Sequence, residues 1–260
     1  MKNLEKIISN LKQKLEVDAV FLTGSQGKER KAYSDIDLVV ILNKNDQKLN
    51  SLYTWVDDTF TDVFFFDHED IERIGTAKEI PGNTLDGVLV SWLNKATIQF
   101  DKSGKISALK SKVDSLADLV KIPQSEKDQF WQKINYNLVA NARYFESNDP
   151  IYHEALEIRL LYSVSEVFTG YFEFRDILWR GEKNALKYLK ENDIPFHSAF
   201  VSYTKASNLK QKFDRYSEMV DLVFPNGYRK WQKTDIAPQP KDRSKADMKA
   251  LIAYWQELIK

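Results

Sequence analysis

Cysteine is absent from the 260 residues, which excludes a disulfide framework, a thiolate metal site and a cysteine nucleophile. Net charge is absent too, with 38 Lys+Arg against 38 Asp+Glu, and the balance holds along the chain. A nucleic-acid coat or a membrane-surface binder usually shows a basic excess, so neither a long nucleic acid nor a membrane is an expected partner. No apolar run approaches the roughly 20 residues of a membrane span. Histidine is scarce: His68, His153 and His197 stand apart without metal-ligand spacing, and surface or core roles are expected of them. Internal repeats and low-complexity tracts are missing as well. What remains is globular composition, 43% hydrophobic and 29% charged, in a chain long enough for one large domain or two small ones. The stretch MKNLEKIISNLKQKLE reads as an amphipathic helix and lacks the apolar core of a signal peptide. A soluble, cytoplasmic protein is therefore expected; its oligomeric state is left open.

Apolar periodicity divides the chain. Leu4, Ile7, Ile8, Leu11 and Leu15 form one helical stripe. A β-type run follows at 18–23 and ends at Gly24-Ser25; residues 26–34 are polar. Asp35–Leu42 reads as a central strand apolar on both faces. Residues 48–58 can form a helix, 61–66 a third strand, and 96–100 a fourth, closed by a turn at 101–104. After Pro123 the pattern becomes helical. Ser125 with Asp128 suggests a helix start, 130–142 and 156–168 carry helical spacing, and Ser244 with Asp247 suggests the start of a last helix reaching Lys260. Arg229–Lys245 is polar and reads as a loop. The expected fold class is α+β: a mixed-sheet domain over 1–122, then an α-helical bundle over 123–260.

The chemistry concentrates in Thr23-Gly24-Ser25, a gap of nine residues, and Asp35-Ile36-Asp37-Leu38. Side chains alternate along a strand, so Asp35 and Asp37 share one face, about 7 Å apart, while Ile36 and Leu38 enter the core behind. Two such carboxylates repel each other and lose hydration, a conflict that a divalent cation resolves, because Mg²⁺ takes a few carboxylates together with substrate phosphates. Gly24 lets backbone approach a phosphate closely, amides in such a turn can line an anion site, and Ser25 adds a hydroxyl donor. A Gly-Ser turn or an Asp-x-Asp strand end occurs alone by chance. In this order, with a hydrophobic strand on each side, the two halves describe phosphoryl or nucleotidyl transfer.

These residues resemble the signature of the DNA polymerase β-like nucleotidyltransferase superfamily: Gly followed by Gly or Ser, a short gap, then Asp-apolar-Asp/Glu-apolar. The resemblance implies two Mg²⁺ ions on Asp35 and Asp37, with ATP or another nucleoside triphosphate as co-substrate and its phosphates on Gly24 and Ser25. It implies a third carboxylate on a neighbouring strand, where Asp62 fits as metal ligand or general base, and where Asp57, Asp58 and Asp67 are nearby alternatives. It implies a lysine sent from the helical domain to the triphosphate. Lys183, following Gly181 where a helix starts, is the candidate, and an ordinary solvated lysine is the bland reading. The domain order, with 156–163 and 179–189, is similar to bacterial aminoglycoside and lincosamide nucleotidyltransferases, although no drug-pocket motif matches.

A small-molecule acceptor held between the domains is expected from that likeness. Glu154 and Glu157, three apart on one helix side, are candidates for its carboxylate wall, against a solvated face paired with Arg159. Transfer to a protein or an RNA end is the second reading. A non-catalytic, antitoxin-like interaction protein is the third, and the intact Asp35, Asp37 and Ser25 count against it.

Overall fold

The computed structural model describes residues 3–23, 35–225, 227–234 and 236. The chain divides into two compact units, Met1–Pro123 and Gln124–Lys260. In the first unit, α1 (Leu4–Gln13) leads into β1 (Val17–Thr23), followed by β2 (Ile36–Leu42), β3 (Ser51–Val56) and β4 (Thr59–Asp67). Next come α2 (His68–Thr76), a short β5 (Ile80–Pro81), α3 (Leu85–Lys95), β6 (Thr97–Asp101), α4 (Lys105–Lys110), α5 (Val113–Ala117) and β7 (Val120–Lys121). Five strands form one mixed sheet in the order β3-β4-β2-β1-β6; β5 and β7 pair separately. Only β2 and β4 run parallel in the larger sheet, and the other neighbours are antiparallel.

Strand alternation gives the sheet two kinds of surface. One face carries Val20, Leu38, Val40 and Val63, on which the apolar stripe of α1 (Ile7, Ile8, Leu11) packs. The other carries Phe21, Val39 and Ile41, all buried, and is approached by α2 and α3. Burial on both faces explains why β2 reads as an unbroken apolar run. Gly87 of α3 sits where a Cβ would lie 2.8 Å from the Pro81 carbonyl oxygen, so α3 can approach the β5 segment only without a side chain there.

The helix anticipated over 48–58 is a strand and a turn. Tyr53, Thr54, Trp55 and Val56 are aromatic or β-branched, residue types that fit a pleated surface better than a helix. Asp57 and Asp58 have φ of 49° and 57°, and positive φ at both central residues is what a two-residue type I′ hairpin turn requires. Val56 pairs with Thr59 across it.

The second unit is helical: α6 (Gln124–Phe145), α7 (Pro150–Glu173), α8 (Glu182–Asn192), α9 (Ile194–Thr204) and α10 (Leu209–Val223). The first of these begins one residue before Ser125, which therefore lies in its first turn and not at its cap. Asp149 caps α7, accepting from the Ile151 amide, with Pro150 in the first turn. Gly170 on α7 lets Ile134 of α6 come close: an added Cβ would be 2.8 Å from its Cδ1. Leu156, Leu160, Val164, Phe196, Tyr216 and Met219 form the core. Of the loop expected over Arg229–Lys245, residues 229–234 carry no helix or strand, and most of the rest lies outside the described residues. The helix anticipated from Ser244 to Lys260 lies outside the described residues. Among the described residues, no helix is long and apolar enough to cross a membrane.

Candidate active site

Register builds the site. Thr23 on β1 pairs with Asp37 on β2, Asp37 with Asp62 on β4, and Asp62 with Tyr53 on β3. Directly paired residues project from the same side of a sheet, so one row reads Thr23, Asp37, Asp62, Tyr53. Asp35 stands one residue before β2. Asp35, Asp37 and Asp62 each offer a carboxylate oxygen, and these oxygens all lie within 4.8 Å of one another. Asp35 is exposed, and the other two are half-buried.

The electrostatics of this cluster are unfavourable as it stands. Burial, then the charges of Asp35 and Asp62, push the Asp37 carboxyl up to about 6. Burial and the charge of Asp35 raise Asp62 as well. Asp62 Oδ1 is buried and receives no hydrogen bond. A buried carboxylate oxygen without a donor costs about 1–3 kcal/mol, and three clustered carboxylates without a cation add repulsion. A hard divalent cation, which takes oxygen ligands and several substrate oxygens, supplies both the missing partner and the missing charge. The donor set fits such an ion.

The nearby alternatives to Asp62 have other work. Asp67 caps α2 in a reciprocal box with Asp70 at 3.0 Å in each direction, and its second oxygen accepts from the Asn45 amide at 3.1 Å. Asp57 and Asp58 make the hairpin turn, where Asp57 accepts from the Leu4 amide at 3.2 Å. Gly24 and Ser25 lie outside the described residues. Lys183 is exposed in the first turn of α8, after Gly181 with φ of 80°, and belongs to the second unit. Glu154 is exposed on α7. Glu157 is engaged by Lys212 at 2.6 Å, not by Arg159, which donates to Asn141 Oδ1 at 2.7 Å and Asn137 Oδ1 at 2.9 Å.

Aromatic side chains flank the acids on the same face. Phe60 and Phe64 lie two residues either side of Asp62 along β4. Phe64 meets Trp92 of α3 with ring centroids 4.5 Å apart, and Thr23 Oγ1 donates to the Trp92 carbonyl at 3.4 Å. On the other flank Phe60 stacks on Tyr53 and meets Trp55 edge-on. Sequence reasoning missed these residues because the helix expected over 48–58 hid the alternation of Tyr53 and Trp55. The signal available was that alternation followed by a two-residue acidic turn.

Residues 5–83, which hold all three carboxylates, match the model of the family described as Polymerase beta, Nucleotidyltransferase. Over these residues the N-terminal unit matches the nucleotidyltransferase domain of the polymerase β type. Its class is transferase and its general chemistry nucleotidyl transfer. Strand β6, although part of the same sheet, lies beyond the matched residues. Among solved structures the chain is similar to a nucleotidyltransferase-like protein from Exiguobacterium sibiricum 255-15, with 11% identity, 84% of this chain and 72% of that chain covered, and a TM-score of 0.44. No curated protein matches the chain by sequence.

Proposed function

We propose that this nucleotidyltransferase moves a nucleoside monophosphate, AMP from ATP, onto a hydroxyl of a small molecule in the presence of Mg²⁺. The observation that carries the reading is the meeting of Asp35, Asp37 and Asp62 within 4.8 Å, with one buried Asp62 oxygen lacking a donor. Two Mg²⁺ ions on this triad would neutralise triphosphate charge and lower the pKa of the acceptor hydroxyl. The residues' own part is positional. Gly24 and Ser25, which follow directly on Thr23 in the sequence, are the residues we assign to the terminal phosphates. Asp62, with its proton affinity raised by burial, accepts the hydroxyl proton or joins Asp35 and Asp37 on the metal. The acceptor oxygen forms its bond to the α-phosphorus as the bond to the bridging oxygen breaks, and pyrophosphate leaves in line.

The test is pyrophosphate release from each of the four nucleoside triphosphates with Mg²⁺ and a panel of aminoglycosides and lincosamides. Release dependent on one of these acceptors, strongest with ATP and lost in Asp35→Asn and Asp37→Asn, is expected. Release with a protein or an RNA end, and with none of the small molecules, would overturn the acceptor class. Failure to bind Mg²⁺-ATP at all would overturn the reading as a whole.

A further inference from the structure

Helix α7 packs against α6 and α10, with Leu156, Leu160, Val164 and Val167 buried in the core of the second unit. Its opposite face is apolar as well, and open. Ile151, Ile158, Leu161 and Tyr162 are exposed at 59%, 66%, 72% and 41%. With Ala155 between them they fall at i, i+4, i+7, i+10 and i+11, the spacing of one helical stripe. Single apolar residues on a surface are ordinary, whereas a contiguous row of them marks a contact. From Ile151 to Tyr162 this row is about 16 Å long at 1.5 Å per residue.

The sequence holds a second stripe of the same length, in a segment outside the described residues. Met248, Leu251, Ile252, Trp255, Leu258 and Ile259 follow the start signal at Ser244 and Asp247. Positions 248, 252, 255, 258 and 259 step as 151, 155, 158, 161 and 162 do. The described chain leads from α10 to the neighbour of α7. Trp131 Nε1 donates to the Arg229 carbonyl at 2.7 Å, and the Trp231 amide donates to Asn135 Oδ1 at 2.7 Å, which ties residues 229–231 to α6. Helices α6 and α7 are antiparallel, since Asn137 reaches Glu166 and Asn141 reaches Ser163. Asn135 therefore stands near the level of Phe168, about 10 Å along the axis from the near end of the α7 stripe and about 25 Å from its far end. Packed helices are about 8–10 Å apart. Residues 232–243 span up to about 40 Å when extended, so the second stripe reaches the whole of the first.

We propose that residues 244–260 of the same chain dock as a helix on the open face of α7, covering Ile151, Ile158, Leu161 and Tyr162. A tether of this length gives the segment an effective concentration in the millimolar range, which a second copy at micromolar concentration does not match. Charge sets the direction. Glu154 is exposed at one edge of the α7 stripe. Lys245 and Lys249 lie on one flank of the second stripe and Asp247 on the other. With the helices parallel the lysines face Glu154, and with them antiparallel Asp247 would face it. Parallel packing sets Met248 beside Ile151 and Trp255 beside Ile158. The proposal concerns the surface of the second unit and stands independently of the nucleotidyl-transfer reading.

The chain contains no cysteine, so one introduced thiol reports on its own surroundings. The rate of reaction with a maleimide is measured for Ile158→Cys and Leu161→Cys in the full-length protein, with Lys187→Cys on the exposed face of α8 as the open control. We expect the two α7 thiols to react at least tenfold more slowly than the control, at a rate that does not change between 1 and 50 μM protein. Adding Leu251→Asp and Trp255→Asp to the same full-length chains should bring them within twofold of the control. Cross-linking supplies a second readout that disrupts neither stripe: Ile151→Cys/Met248→Cys should oxidise to an intrachain disulfide, which needs Cα atoms within about 7 Å, and Tyr162→Cys/Met248→Cys should not. Thiols on α7 that react as fast as the control would overturn the proposal. Protection that rises with protein concentration would do so in favour of a second copy, and protection that survives Leu251→Asp/Trp255→Asp in favour of another part of the chain. Failure of Ile151→Cys/Met248→Cys to cross-link, or cross-linking of Tyr162→Cys/Met248→Cys in its place, would overturn the parallel arrangement.

Discussion

Replacing Asp37 by Asn should stabilise the metal-free protein while removing its response to nucleotide. Asp37 has its carboxyl raised to about 6 from an ordinary value of 3.8 by burial and by its two acidic neighbours. The difference corresponds to about 3 kcal/mol at roughly 1.4 kcal/mol per tenfold in proton affinity. Asp37 keeps part of its surface in water, and screening reduces the expected gain to about 1–2 kcal/mol. The sign follows from proton linkage: a carboxyl with a raised folded pKa favours folding fully below about pH 4, and that contribution is lost as pH rises through about 6. Wild type and variant should therefore melt together near pH 4 and separate above pH 6, the variant higher by about 3–8 °C for a unit of this size. Mg²⁺-ATP at a hundred times its Kd should raise wild-type stability by about 2.7 kcal/mol and leave the Asn variant unmoved. The assay is thermal unfolding by circular dichroism from pH 4 to 8.5, with and without Mg²⁺-ATP. A variant that melts at or below wild type at pH 8, and that still responds to Mg²⁺-ATP, would refute the argument that the three carboxylates repel each other until a cation joins them.

Four further outcomes are expected. Arg159→Ala strips donors from Asn141 and Asn137, which also reach Ser163 and Glu166; urea unfolding of the second unit should show a loss of about 2–4 kcal/mol. Burial alone would raise Asp18, but hydrogen bonds from the Ser103 hydroxyl and amide and from His68 outweigh it and lower the carboxyl. Asp18→Ala should thus cost about 2–4 kcal/mol at pH 7, and the gap from wild type in urea melts should close as pH falls below about 4. Gly87→Ala should lower the stability of the first unit by about 1–3 kcal/mol, because the added Cβ meets the Pro81 carbonyl and Gly82 backbone at 2.8–2.9 Å; calorimetric melting checks this. Lys183→Ala should leave the melting temperature of the second unit within about 1–2 °C, since the side chain is exposed; calorimetric melting checks this as well.

The strands that carry the acids were legible because their patterns are local. Asp35-Ile-Asp37-Leu and Thr61-Asp62-Val alternate with period two, and an apolar run buried on both faces reads as a central strand without any partner being known. The helical second half was legible for the same reason, since α6 and α7 repeat their apolar positions every three to four residues. Three features depended on the tertiary structure. Which of Asp57, Asp58, Asp62 and Asp67 meets Asp37 is a question of parallel register between β2 and β4, which adjacent sequence does not encode. The strand at 51–56 is an edge strand, exposed along much of its length, so no buried alternating face separated it from a helix in the sequence. Its pairing with β4 decided the matter and turned Tyr53 and Trp55 toward the acids. The partner of Glu157 proved to be Lys212, 55 residues away, because α10 packs against α7. The local pattern of apolar and polar residues determines which elements form, and packing between distant elements determines which side chains meet.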